Sequence, residues 1–416
     1  MIFIIADDLT GANDSGIQFK KNNYHTYVAI TQKQFNNLEL ATYDAVAVNT
    51  DSRALPVEEA YEVVAETIRN LQAQFPKALF YKKIDSLYRG NTVKEVEASM
   101  ESGNFKRVFV ASAYPEGGRK VLNGKIYYSD SEINAYELFN QDSRYKTISI
   151  PLNEIRRGKT ALSRYLSSIE KDDYSFYLFD SETNDDLAII YELFKQEENC
   201  LLCGTAGMAG QINTITHRRI NQKQNLLNRN GSLLFAIGTQ HEVTAKQVRK
   251  LMATNPRITV GILNAENIKK GMIVEERQRV LKQMLANTAS NEWLVVLDSL
   301  FEKNTFDLKV SNEMEKLGKV ICELLGSLAI EINRHSPIGK IIATGGDTSL
   351  GIGLSFNTEG IILQDEILPG VPYGKLVGGA LDGALIATKS GAFGNENALI
   401  EIENYFCLEK TEEKRI

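Results

Sequence analysis

The sequence predicts an α/β protein of two domains, each built on a mainly parallel sheet. Three observations predict it. Short β-branched or aromatic runs alternate with longer helical patterns almost throughout, as repeated strand–helix–strand units require. The length, 416 residues, is about 2.8 times the ~150-residue domain prior, which favours two domains over one. A polar stretch without apolar periodicity, Thr216 to Gly231, closes on the turn signal Asn230-Gly231 and interrupts the alternation near the middle. Domains over 1–228 and 229–416 follow.

The elements can be justified in order. Ile2–Ala6 is an apolar run stopped by Asp7-Asp8; it lacks a basic leader and is expected to be a buried strand rather than a signal segment. Thr26–Ile30, Ala45–Asn49, Leu79–Lys83, Arg107–Ala111, Ser175–Phe179 and Leu201–Cys203 are further strand candidates. Between them, Val57–Phe75 places Ala60, Val63, Val64, Thr67, Ile68 and Leu71 at helical spacing. After the polar break come strands at Ser232–Ile237, Ile258–Ile262, Trp293–Leu297 and Lys340–Ala343, with a long helix near Ser311–Asn333. The mostly charged segment Cys407–Ile416 is expected to fray.

Composition bounds the function. With 43% apolar and 24% charged residues the chain is an ordinary soluble globular sequence, expected in the cytoplasm. A net charge of −6 argues against a general nucleic-acid or anionic-membrane partner. No apolar run approaches the ~18–20 residues of a membrane helix. Four cysteines make no disulfide framework, and Cys200-Leu-Leu-Cys203 reads as structural thiols in a strand. His25, His217 and His335 lie in polar surroundings without zinc-ligand spacing.

Ligands of an open parallel sheet bind beyond the carboxyl ends of its strands, so polar residues at strand exits are the candidates. Asp7-Asp8-Leu9-Thr10-Gly11 could bind a hydroxyl or Mg²⁺, or simply cap a helix. Arg53, in Asn49-Thr50-Asp51-Ser52-Arg53, could hold a carboxylate or form a surface ion pair. Lys82 and Lys83 close an apolar strand on opposite faces, so at least one needs an anion; Asp85 and Arg89 follow them. Tyr114 to Arg119 is rich in turn residues. In the second half, Thr344-Gly345-Gly346-Asp347-Thr348, Ser390-Gly391-Ala392-Phe393-Gly394 and Gly238-Thr239-Gln240-His241 each leave a strand through glycine. Bare backbone amides at such turns suit phosphate. Neither a P-loop nor a dinucleotide fingerprint is present, nor is a nucleophile elbow.

Taken together, Ala6 to Asp14, Thr50 to Arg53, Lys82 to Ser86 with Arg89-Gly90-Asn91, Pro115 to Arg119, Thr344 to Thr348, Pro369 to Pro372 and Lys389 to Gly394 resemble the four-carbon acid sugar kinases. That family phosphorylates D-threonate, D-erythronate or 3-oxo-tetronate with ATP, and the likeness spans the whole chain. It implies an N-terminal acid-sugar domain, a C-terminal ATP domain and an active site in the cleft between them. Asp8, Arg53, Lys82, Lys83 and Asp85 match its substrate-binding positions; Gly345, Gly346, Asp347, Thr348 and Gly391 match its nucleotide loops. The segment after Gly238, often serine-rich in the family, places the remaining nucleotide contact on His241. Asn13-Asp14-Ser15-Gly16 is more like the threonate and erythronate kinases than the 3-oxo-tetronate branch.

The expected reaction is in-line transfer of the γ-phosphoryl of ATP to the 4-hydroxyl, which needs positioning and charge neutralisation. Arg53 and one of Lys82 and Lys83 would hold the carboxylate, and the other lysine the transferring phosphoryl group. Asp85 is expected as the base, kept ionised by neighbouring cations, with Asp8 the alternative. Mg²⁺ would arrive with ATP and meet Asp347 through water; no metal site of the protein's own is expected. The alternatives are a kinase of another small hydroxy acid and an ATP-regulated sugar-acid sensor that binds without turnover. A homodimer is the base-rate expectation.

Overall fold

Strand β1 (Ile2–Ala6) is apolar and buried at every position, as a parallel strand covered on both faces must be. The structure, a computed structural model, describes residues 1–32, 40–169, 174–213, 231–287, 290–301 and 312–412. The chain forms two compact units, Met1–His217 and Arg218–Ile416. The boundary expected at 228/229 lies outside the described residues.

In the first unit β1 leads into α1 (Leu9–Lys21), β2 (Thr26–Ala29), β3 (Ala45–Asn49), α2 (Val57–Gln74), β4 (Leu79–Lys83), α3 (Thr92–Ser102) and β5 (Arg107–Ala111). A small meander follows, β6 (Lys120–Leu122), β7 (Lys125–Tyr128) and β8 (Ser131–Asn134), then α4 (Ala135–Asp142) and β9 (Lys146–Ile150). The unit closes with α5 (Leu152–Ile155), α6 (Lys159–Ser168), β10 (Ser175–Phe179), α7 (Asn184–Phe194), β11 (Cys200–Gly204) and α8 (Ala206–Ala209). Its main sheet has the order β2-β3-β1-β4-β11-β5-β10-β9, and every pairing in it is parallel. The chain moves outward in one direction through β3 and β2 and in the other through β4, so the switch point lies at β1 and β4.

The second unit runs β12 (Ser232–Ile237), α9 (Glu242–Thr254), β13 (Thr259–Leu263), α10 (Ala265–Lys269), α11 (Ile273–Leu285), β14 (Glu292–Leu297) and α12 (Asn312–His335). It continues through β15 (Ile338–Thr344), α13 (Gly346–Ser355), β16 (Gly360–Leu368), β17 (Val371–Val377), β18 (Leu385–Lys389) and α14 (Ala398–Glu412). The order is β13-β14-β12-β15-β18-β17-β16. Five strands are parallel, while β17 pairs antiparallel with both β18 and β16. Here the switch point falls between β12 and β15. Leu233, Phe235, Ile237, Leu294, Val296, Ile342, Leu385 and Ala387 pack the core under α9 and α14.

Two differences from the sequence reading have physical causes. The meander, just beyond the turn-rich Tyr114 to Arg119, carries no strand expectation from the sequence, because its strands are short and partly exposed. Its first turn is nonetheless Asn123-Gly124 with φ of 51° and 70°, the two-residue hairpin turn of that dipeptide. The C-terminal segment, expected to fray from Cys407, is helical to Glu412. Both thiols of Cys200 and Cys203 are buried in β11, and burial pushes Cys203 up to about 12, so they are inert structural groups.

Candidate active site

The register aligns the strand exits. Ala6 pairs with Asn49 and with Lys83, and Lys83 with Gly204, so the residues after β1, β3 and β4 emerge at one level of the first unit. Asp8 is the N-cap of α1, its carboxylate accepting from the Gly11 amide at 2.7 Å. Its second oxygen accepts from Arg53 Nη1 at 2.7 Å. Arg53 also grips Asp7 with Nε at 2.6 Å and Nη2 at 3.1 Å, and Nη2 lies 3.6 Å from Asp85. Arg53 is therefore the hub of three carboxylates, all carried on strand exits.

Asp85 is saturated with donors: the amides of Leu87 and Arg89, and Arg89 Nε and Nη2 at 3.1 and 2.6 Å. Burial would raise its carboxyl, but Arg89, Arg53 and Lys83 hold it well below the ordinary value. Burial also works to raise Asp7, and Arg53 with the two lysines outweighs it, leaving it lowered. At Asp8 the balance reverses. Burial, reinforced by the charge of Asp7, raises its carboxyl against the pull of Arg53 and Lys83.

The two lysines separate. Lys82 is 0% exposed, and its ammonium meets Glu95 of α3 at 2.8 Å and the Lys83 carbonyl at 3.1 Å. Glu95 in turn accepts from Ser52 Oγ at 2.7 Å. The anion required on one face of β4 is thus internal: the Lys82 ammonium, expected from the sequence to meet the substrate, is paired with Glu95. Lys83 donates to the Ile84 carbonyl at 2.7 Å and stands beside Asp8 and Gly11. Arg89, expected from the sequence as a cation beside Asp85, joins them, as does Arg119, to which the sequence reading gave no separate role. Arg89 has a side chain 66% exposed, and Arg119 donates to Ser86 Oγ at 2.7 Å. The four cations Arg53, Lys83, Arg89 and Arg119 outnumber the carboxylates Asp7, Asp8 and Asp85, which suits an anionic ligand.

In the second unit Ile237 pairs with Thr344, and Thr344 with Lys389, so three more strand exits are level. The loops after β12, β15 and β18 interlock. A Cβ at Gly391 would stand 2.3 Å from Thr239 Oγ1 and 3.2 Å from His241 Cβ, so only glycine permits that approach. Gly345 has φ of 102° and opens α13, and its amide donates to the Lys389 carbonyl at 2.9 Å. His241 caps α9, its Nδ1 accepting from the Val243 amide at 3.2 Å. Thr244 Oγ1 donates to the Gly391 carbonyl at 2.8 Å. Thr348 is buried beside Gly238 and Gly345, whereas Asp347 is exposed on the first turn of α13 with Gly346 half-buried before it. Bare loop backbone and two helix N-termini are the kind of donors that can cradle a phosphate. Among the described residues there is no group of three or more His, Cys, Asp or Glu side chains that could hold a metal.

Comparison with known proteins agrees with this division. Residues 2–212 match a family profile described as a sugar-binding N-terminal domain, and residues 234–399 one described as a nucleotide-binding C-terminal domain. The chain is 27% identical to a D-threonate kinase of Salmonella typhimurium over 98% of this chain and 99% of the relative. It is 25% identical to a D-erythronate kinase of Heliobacterium modesticaldum over 99% and 98%, and 22% identical to a 3-oxo-tetronate kinase of Actinobacillus succinogenes over 95% and 97%. Solved structures of a Salmonella typhimurium protein (TM-score 0.74, 20% identical, 99% of both chains) and a Haemophilus influenzae protein (TM-score 0.67, 20% identical, 97% and 100%) share the fold.

Proposed function

The chain belongs to the family of four-carbon acid sugar kinases, and from that premise we propose that it transfers the γ-phosphoryl group of ATP to the 4-hydroxyl of D-threonate or D-erythronate. It is a phosphotransferase with an alcohol acceptor; the choice of acid and the roles below are our reading. The observation that carries it is the Arg53 hub, which gathers Asp7, Asp8 and Asp85 beside Lys83 at the switch point of the first unit.

The first unit holds the acid. Arg89 and Arg119, with donors turned to the same loop, take the carboxylate in bidentate fashion, while Arg53 keeps Asp7 and Asp8 in place. Asp8 is the base: among the described residues its carboxylate accepts two hydrogen bonds, which leaves lone pairs for the 4-hydroxyl, and its carboxyl is raised towards the basicity a proton acceptor needs. Asp85, saturated and strongly acidic, orients the arginines instead of taking the proton. Lys83 neutralises charge on the transferring group. In the second unit the loops at Gly238, Gly345 and Gly391 hold the ATP phosphates, with His241 and Thr348 at their edges. Mg²⁺ supplies charge neutralisation on the phosphates when bound, and Asp347 is the carboxylate placed to hold it. Among the described residues no helix is long and apolar enough to cross a membrane, and we place the reaction in the cytoplasm, where ATP is found.

A coupled ADP-release screen over four- to six-carbon sugar acids tests the reading. Turnover is expected with D-threonate or D-erythronate; turnover confined to 3-oxo-tetronate would reassign the substrate within the family, and turnover confined to six-carbon acids would overturn the four-carbon proposal.

A further inference from the structure

Lys389 ends β18 and is 1% exposed, yet its ammonium meets only neutral acceptors. It donates to Ser390 O at 2.9 Å, Phe393 O at 3.1 Å and Thr244 Oγ1 at 3.3 Å. Among the described residues no carboxylate lies within ion-pair distance of it. The surrounding elements carry His241 at the cap of α9 and Glu242, Lys246, Arg249 and Lys250 within it, Asp347 in α13, Glu396 in the loop before α14, and Glu401 and Glu403 in α14. Glu242 pairs with Lys246 at 3.1 Å, and Glu396 lies 3.9 Å from Lys250. A buried charge without a counter-charge is costly to a fold. Lys82, the fully buried lysine one residue before the end of β4, has Glu95 for this purpose; among the described residues Lys389 has no such partner.

The place of this charge gives it a use. Its residue carbonyl accepts from the Gly345 amide, and the loop it braces, Ser390 to Gly394, contains Gly391, pressed against Thr239 and His241. The N-termini of α9 and α13, each a full helix, open at the same strand exits and add their own positive ends. Thr344, the register partner of Lys389, is buried with a hydroxyl that has no hydrogen-bond partner among the described residues. The field of Lys389 reaches the loop face: together with burial it draws the His241 imidazole below its ordinary value.

We propose that Lys389 supplies the fixed positive charge by which the second unit recognises the polyphosphate of its nucleotide, its missing counter-ion being the phosphate itself. The inference rests on the nucleotide-binding reading of this unit and deepens it. Binding of a polyphosphate is then charge-dependent in a way that binding of the nucleoside is not.

The test is calorimetric titration of the full chain with MgADP and with adenosine. Lys389→Met is expected to weaken MgADP by about 10- to 100-fold, the range of a charged hydrogen bond, while adenosine affinity stays within about twofold of wild type. Equal MgADP affinity in the variant would overturn the proposal, and so would equal loss of both ligands, since that marks a loop that has merely collapsed. The wild-type chain provides a second measurement that depends on no variant. Burial pushes Lys389 down to about 8, and a bound anion raises it again. MgADP affinity is therefore full below about pH 8 and falls as pH rises beyond it, with proton uptake on binding near pH 8. Adenosine affinity should be flat over the same interval, and a flat MgADP profile from about pH 7 to about pH 9.5 would overturn the proposal. If wild type binds neither ligand, the nucleotide-domain reading itself fails; if it binds both and only the MgADP predictions fail, the fault lies with Lys389 alone.

Discussion

Asp8 and Asp85 are both carboxylates at strand exits, but their surroundings push them in opposite directions, and stability and activity should separate accordingly. At Asp8, burial and the Asp7 charge raise the carboxyl, so its ionised form opposes folding at neutral pH. Asp8→Asn removes that cost and keeps a good N-cap for α1. The variant should show an unchanged or higher Tm at pH 7 and lose about 10²-fold or more in kcat. A kcat near wild type would remove Asp8 as the base. At Asp85 the folded carboxyl is depressed below its ordinary 3.8. Its contribution is fully present above the unfolded value and lost as pH falls through the folded one. Asp85→Asn should therefore lower Tm at pH 7, flatten the fall of Tm on acidification below about pH 4, and raise KM for the acid more than it lowers kcat. The buried pair makes a third case. Glu95→Gln strands the Lys82 ammonium in the interior and should cost about 3–5 kcal/mol in denaturant unfolding; a loss below about 1 kcal/mol would show that the pair is relaxed or hydrated.

At the scale of the elements, the candidate residues sit where a strand ends and the chain turns towards a helix, six times over. In the first unit the exits carry charged side chains; in the second they carry backbone freed by glycine. This difference predicts which substrate a local change disturbs. Gly345→Ala forces a side chain into a φ of 102°, a conformation costing roughly 1–2 kcal/mol. It should raise KM for ATP by about tenfold, since each 1.4 kcal/mol is tenfold in affinity, and leave KM for the acid unaltered. Initial-rate kinetics with each substrate varied in turn would check it, and a matched rise in both KM values would count against separate binding elements. The hairpin β16–β17 and the meander β6–β8 lie outside these exits. Their turns, Pro369-Gly370 and Asn123-Gly124, are readable dipeptides; the meander strands are too short and too exposed for periodicity to mark them, whereas β16 and β17 are long and mostly covered.

For the molecule as a whole, each unit has its own run of strands, its own covering helices and its own switch point. Fragments 1–213 and 231–416 are therefore expected to fold separately, each with a cooperative thermal transition and native-like circular dichroism; a fragment that stays unfolded would show that its core is incomplete alone. Strand exits and glycine loops were legible in the amino-acid order because apolar runs of strand length end visibly at Asp7, Lys83, Gly238, Gly345 and Ser390. The opposite facing of Lys82 and Lys83 was legible too, since it follows from the two-residue repeat of a strand. Which lysine would find an internal anion was not. Glu95 reaches Lys82 only because α3 packs across the sheet, and Lys389 lacks a counter-charge among the described residues because none of their carboxylates packs opposite it. The roles of Asp8 and Asp85 likewise depend on how many donors converge on each, and Arg53 approaches both across more than thirty residues of chain. The sequence by itself determined the α/β class, the polar strand exits and the glycine loops, because these depend on local period and turn chemistry. Only the tertiary structure decided which charges are paired, buried or left open to a substrate, because desolvation and Coulomb energy depend on distances that the chain order does not contain.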